Sequence, residues 1–160
     1  MSHFEIYPLE VGQGQIALSP LPGRYGDIQS DLAKVADWGA SLVLTMVTQA
    51  EIDKHRSGQL EELLNNADIR WQHLPVEDYQ TPAVQTDSAI ERAISESKQI
   101  LNNGGRVLIH CFGGCGRSGM MALRIMIAVG EMPNDALLRL RHARPCAVET
   151  ADQLLWAQTT

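Results

Sequence analysis

The segment Arg106–Val129 constrains this chain more than any other. Arg106 to His110 (RVLIH) reads as a short apolar strand. It runs directly into Cys-Phe-Gly-Gly-Cys-Gly-Arg-Ser-Gly, and the stretch from Met120 to Val129 is then apolar except for Arg124. A strand that feeds a helix through a glycine-rich turn is a building unit of α/β sheets. The helix is apolar nearly all round, which predicts a central, buried position. In such sheets ligands bind beyond the carboxyl ends of the strands, where this loop would lie.

The remaining segments read consistently with that unit. Phe4–Leu9 and Gln15–Leu18 read as short strands, the first an edge strand because of Pro8. Ser19 to Gly23 (SPLPG) breaks the chain. Asp27 then caps a helix carrying Ile28, Leu32, Val35, Ala36 and Trp38, which Gly39 ends. Ser41–Val47 (SLVLTMV) reads as a buried parallel strand. Gln49 to Ala67 reads as one helix, and Ile69–Leu74 as a further strand. Pro75–Thr86 has no periodicity and reads as a loop. Helices follow at Asp87–Asn103, Asn134–Ala143 and Thr150–Ala157, with Asp87 as an N-cap. The expectation is an α/β fold, a central mainly parallel sheet flanked by helices on both faces. Residues 1–160 show no linker, repeat or low-complexity tract and are read as a single domain.

Composition narrows the partners. The formal net charge is -6, which argues against nucleic acid because duplex binding needs a basic face. No stretch approaches the roughly 18 uninterrupted apolar residues of a membrane helix. Met1–Glu10 carries neither a basic nor an apolar export region. The three cysteines, Cys111, Cys115 and Cys146, are too few for a disulfide framework and read as free cytoplasmic thiols.

The loop residues carry a specific chemistry. Gly113, Gly114 and Gly116 let the backbone curl so that successive N–H groups point inward as an anion nest. The helix start behind them adds orphan N–H groups and a favourable dipole. Arg117, at that start, offers a planar fork to two phosphate oxygens. Cys111, at the strand end, faces the same cradle, where a thiol is expected to be largely deprotonated. Ser118 is placed to hydrogen-bond the sulfur. His110 reads as a structural support for the loop.

This pattern, H-C-x5-R-S with internal glycines, resembles the signature of the cysteine-dependent protein tyrosine and dual-specificity phosphatases. Pro75 to Pro82 (PVEDYQTP) is similar to the mobile acid loop of that superfamily, with Asp78 at the acid position; Glu77 reads as a solvated charge. The likeness is particularly close to the cyclin-dependent-kinase-associated phosphatase branch, and Leu21–Val47 resembles that branch more weakly. Val148–Leu154 (VETADQL) resembles the glutamine loop of tyrosine-specific members. Glu149 stands where those members have Gln, and Gln153 is retained. Cys146 stands where many relatives carry Gly.

The resemblance implies a two-step mechanism. Cys111 attacks phosphorus while Asp78 protonates the leaving oxygen. The phosphocysteine is then hydrolysed, with Asp78 as base and Gln153 placing water. Arg117 and the loop residues Phe112, Gly113, Gly114, Cys115 and Gly116 bind the phosphate oxygens. No metal or cofactor is implied. The substrate is a phosphorylated protein or peptide bearing phosphotyrosine, with phosphoserine or phosphothreonine decided by pocket depth. Two other readings compete. One is a phosphoinositide or other small phosphomonoester phosphatase, whose loops tend to add lysines that this loop lacks. The other is a non-catalytic phosphate-binding module, which the intact Cys111, Arg117 and Asp78 oppose. A cysteine redox enzyme is a weaker third. Cys115 either points away into the fold or traps an oxidised Cys111 as a disulfide, and Cys146 is a second candidate for that trap.

Overall fold

The computed structural model describes residues 2–159. Five strands form one sheet: β1 (Tyr7–Val11), β2 (Gly14–Ser19), β3 (Leu42–Thr45), β4 (Arg70–His73) and β5 (Arg106–His110). The order across the sheet is β1-β2-β5-β3-β4. Only β1 is antiparallel to its neighbour; β2, β5, β3 and β4 run parallel. The mainly parallel α/β sheet expected from the sequence is therefore observed. The first strand begins later than expected, at Tyr7. Phe4 is buried instead in a separate cluster with Ile28 and Leu32. Pro8 lies on the edge strand, where its missing N–H costs no ladder bond.

Strand periodicity divides the core between two faces. Ile16, Leu18, Leu42, Leu44, Val107 and Ile109 point to one face. Ala17, Val43 and Leu108 alternate with them onto the other. The first face is covered by α4 (Asp87–Asn102), α5 (Gly116–Val129), α6 (Pro133–Ala143) and α7 (Ala151–Gln158). The second is covered by α1 (Ile28–Trp38) and α3 (Leu60–Asn66). α5 is the central helix: Met120, Met121, Ala122, Leu123, Ile125 and Met126 are all buried, and α4, α6 and α7 pack around it.

Two helix readings need correction. The segment from Gln49 to Ala67 is not one helix but two, α2 (Gln49–Lys54) and α3. Arg56 takes a left-handed conformation between them, and Ser57 is fully buried. The Ser57 hydroxyl donates to the Pro22 carbonyl at 2.7 Å, so a contact remote in sequence overrides local helical pattern. Asp87 is the first residue of α4 rather than its cap; Thr86 holds that position without a side-chain cap bond. In contrast, Asp27 caps α1 through the Gln29 N–H, and Gly39 ends it in the left-handed region.

Removing the Ser57 hydroxyl leaves the Pro22 carbonyl without that donor. Ser57→Ala is expected to lower stability by about 1–2 kcal/mol. A urea midpoint that falls with an unchanged slope would register it.

Candidate active site

The phosphate loop is built by what holds its carbonyls. The Phe112 carbonyl accepts from the Leu21 N–H at 3.1 Å and from Arg24 Nη1 at 3.1 Å. Arg144 donates Nη2 to the Gly113 carbonyl at 2.9 Å and Nε to the Gly114 carbonyl at 3.3 Å. The Cys115 carbonyl accepts from the Val148 N–H at 3.1 Å. A trans peptide points its N–H opposite to its C=O. The N–H groups of Gly113, Gly114, Cys115 and Gly116 therefore turn away from these donors, to the inside of the loop. Among the described residues none of those four N–H groups has a hydrogen-bond acceptor. Only glycine fits at 114: its φ is +76°, and a Cβ there would lie 2.7 Å from the Ser19 carbonyl carbon. The result is an anion nest continuous with the start of α5.

Cys111 is buried at the base of this nest, its Sγ 3.2 Å from Ser118 Oγ. Arg117, only 1% exposed, closes the other side. Its Nη1 donates to Glu51 Oε1 at 2.7 Å and to the Val76 carbonyl at 2.8 Å. Its Nη2 donates to Glu51 Oε2 at 2.9 Å and lies 3.4 Å from Asp78 Oδ1. Nε has no partner. Burial would push the Glu51 carboxyl up, but its bonds with Arg117 and the Thr48 N–H outweigh that and hold it below the ordinary range. Burial likewise works against the Arg117 cation, and Glu51 reverses the effect and raises it.

His110 anchors the strand end from beneath. Its Nδ1 faces the Cys111 carbonyl at 3.3 Å, and a carbonyl only accepts, so Nδ1 carries the proton. Nε2 then accepts from the Thr45 hydroxyl at 2.6 Å, and Thr45 accepts from Trp71 Nε1 at 2.7 Å. The chain Trp71–Thr45–His110–Cys111 is satisfied only with a neutral imidazole.

Comparison with known proteins agrees with this geometry. A family model described as a polymorphic toxin system DSP-PTPase phosphatase (Tc-R-P) matches residues 19–131. The chain belongs to the dual-specificity and tyrosine phosphatase family. Cyclin-dependent kinase inhibitor 3 of Mus musculus is 31% identical over 145 residues, covering 86% of this chain and 67% of the relative. A crystal structure of kinase associated phosphatase, with its catalytic-site cysteine replaced by serine, superposes with a TM-score of 0.86. It is 24% identical and covers 99% of this chain and 94% of that one. The active form of Tk-PTP gives a TM-score of 0.71 at 27% identity, covering 89% and 88%. The protein is a cysteine-dependent protein phosphatase.

For this phosphatase the structure brings together Cys111, Arg117, Ser118, His110, the loop glycines and Asp78. Gln153 is fully buried. Its Oε1 accepts from the Glu149 and Thr150 N–H groups at 3.0 and 3.2 Å, which completes the capping box of α7. Its Nε2 donates to the Gln80 carbonyl at 3.2 Å, so it ties the acid loop to α7. Glu149 Oε1 lies over the phosphate loop, 2.3 Å from where a Cβ on Gly116 would stand. Phe112 lines the rim, stacked beneath the Arg24 guanidinium at 3.8 Å and tilted against His55 at 4.7 Å.

The cysteine reading is corrected. Cys115 and Cys146 form a disulfide with each other, and Cys111 alone is free. Neither of the paired cysteines traps Cys111 in this structure, and the argument from free thiols to a cytoplasmic location no longer holds. Among the described residues no helix is long and apolar enough to cross a membrane. Arg24, Arg144 and Glu51 are site residues that sequence reasoning missed; the first two carry no local signal, and Glu51 carries one. Its visible signal was the Thr48–Glu51 capping box, which explains its place on α2 but not its reach to Arg117.

Two outcomes follow for this site. Glu51→Gln keeps the cap but loses the charge that fixes the guanidinium; kcat/KM is expected to fall about 10- to 100-fold. A steady-state comparison on an aryl phosphate measures it. Burial drops the His110 pKa to about 4 from its ordinary 6.5. The unfolded chain then binds the extra proton between those values, so stability is full above the upper one and falls as pH drops toward the lower. The loss reaches up to about 3 kcal/mol. Melting temperatures from pH 7 to 4.5 should fall steeply in the wild type and less steeply in His110→Asn.

Proposed function

We propose that Cys111 is the nucleophile of this phosphatase and Arg117 its phosphate clamp. The observation that carries the reading is the Cys111 sulfur at the base of four inward, unpartnered N–H groups, beside an Arg117 Nε that also lacks a partner. A phosphoryl group seated there receives amide N–H groups of the Phe112–Gly116 turn on its equatorial oxygens, with Arg117 Nε beside them. Sulfur attacks phosphorus in line, the P–O bond breaks, and Asp78 gives its proton to the leaving oxygen. The support for Asp78 in this role is its position, half exposed on the loop between Pro75 and Pro82 with Oδ1 3.4 Å from Arg117 Nη2. In the second step water attacks the phosphocysteine, Asp78 takes its proton, and the S–P bond breaks. The Ser118 hydroxyl at 3.2 Å stabilises the departing thiolate. Gln153 Nε2 has a second N–H beyond its bond to Gln80, which it offers to that water.

The substrate we assign is a phosphorylated protein or peptide bearing phosphotyrosine, and phosphothreonine where the rim around Phe112 admits it. The cyclin-dependent kinase in the relatives' name and the kinase association of the solved phosphatase extend this to phosphorylated kinases as a substrate class.

The test is hydrolysis of an aryl phosphate and of phosphotyrosine and phosphothreonine peptides in EDTA. Cys111→Ser is expected to be inactive. Asp78→Ala should lose about 10²–10⁴ in kcat, the usual worth of a general acid. Turnover by Cys111→Ser equal to wild type would overturn the assignment, and the peptide ratio sets the specificity.

A further inference from the structure

The segment that follows α6 does more than connect it to α7. It holds the phosphate loop at three successive residues. Arg144 takes the carbonyls of Gly113 and Gly114, Cys146 is bonded to Cys115, and the Val148 N–H takes the Cys115 carbonyl. The segment is itself held in a costly shape. Val148 is β-branched and sits at φ +67°, a conformation such residues rarely adopt. Arg141 clamps the carbonyls of Ala147 and Val148, each at 2.9 Å. Gly119 of α5 lets the strained turn approach so closely that a Cβ there would meet the Val148 nitrogen at 2.6 Å. The disulfide is the only covalent hold in this arrangement. Cys146 is exposed and Cys115 half buried, whereas Cys111 is buried and unbonded.

We propose that the Cys115–Cys146 disulfide is a reducible brace that positions the phosphate loop, so that the oxidised protein binds phosphate and phosphomonoesters more tightly than the reduced one. Cys115 and Cys146 are positioning residues here: they act by fixing the carbonyls that turn the loop amides inward. The co-reactant is a dithiol. Its thiolate attacks the exposed Cys146 sulfur, the S–S bond breaks, and Cys115 leaves as a thiolate that takes a proton. The second sulfur of the dithiol then displaces Cys146 from the mixed disulfide. Two electrons and two protons pass to the protein, which gains two thiols, and the dithiol ends as its own disulfide. The nucleophile is not consumed, so the change is in loop order rather than in the number of active sites.

The proposal rests on the phosphatase reading of the site, and the experiment separates the two. Wild type is prepared oxidised and dithiol-reduced, and checked by thiol titration after denaturation; one thiol and three thiols are expected from the single bond among three cysteines. Aryl phosphate kinetics and competitive inhibition by inorganic phosphate are then measured for both forms and for Cys146→Ser. Reduction is expected to raise the phosphate Ki and lower kcat/KM by about three- to ten-fold, the cost of a less ordered anion site. Cys146→Ser should match reduced wild type with or without dithiol. The sign matters, because reductant ordinarily activates a thiol enzyme by rescuing its nucleophile. A disulfide that is merely structural would lower the melting temperature and leave Ki unmoved, and equal Ki in oxidised and reduced wild type overturns the brace. If neither form turns over aryl phosphate nor binds inorganic phosphate, the phosphatase reading falls and the brace with it.

Discussion

Four adjacent amide N–H groups turned to one side without protein acceptors are the constraint that the architecture around this site serves. The chain tolerates the arrangement because every carbonyl on the outer side of the turn is claimed. Leu21 and Arg24, from the segment after β2, take Phe112. Arg144 and Val148, from the segment after α6, take the next three. The loop is thus gripped from two sides by segments remote in sequence, and its inner face is left to an anion. Parallel β2 and β5 in direct register, Ser19 opposite His110, bring the first grip to the right height.

The same logic explains the buried cation. Arg117 is deeper than a guanidinium is ordinarily found, and a lone charge there would be strongly disfavoured. Glu51 neutralises it with two parallel bonds, and the Val76 carbonyl takes a third. What remains are two N–H groups, the second on Nη2, beside Asp78, and the one on Nε, on the edge of a fork whose orientation is fixed. Glu51 reaches the site because α2 is short. Had the segment from Gln49 to Ala67 been a single helix, its axis would have been set by α3 packing on the far face of the sheet. The break at Arg56–Ser57, secured on Pro22, frees α2 to end over the phosphate loop.

How much of this is legible in the sequence depends on the range of the interaction. β5, the loop and α5 were readable because strand, glycines and helix start are consecutive, and each element follows from its own residues. The α1 boundaries were readable for the same reason, with Asp27 and Gly39 acting locally. The helix break at Ser57 was not, since it depends on a carbonyl 35 residues away. Glu51 was hidden behind a sufficient local explanation, its capping role. The water-placing role of Gln153 rests on family likeness; the fold adds what that likeness could not show, an amide oxygen that serves the start of α7 and a nitrogen that reaches the acid loop.

The cysteines show the sharpest limit. Counting them gave an odd, low number and a reading of free thiols, and spacing along the chain placed Cys115 nearer to Cys111 than to Cys146. Distance in sequence misleads here because the turn reverses side-chain direction between Cys111 and Cys115. Cys111 meets Ser118 inside the loop, while Cys115 stands 5.1 Å, Cα to Cα, from Cys146 on the segment that grips it. Cys146 has no rationale in its own stretch of sequence. Its partner in the fold is Cys115, inside the phosphate loop, so the two cysteines make sense only as a pair. A phosphatase with an independent disulfide in this position keeps its nucleophile chemically separate from its redox-active sulfurs. Loop order and nucleophile oxidation can then respond to different reagents.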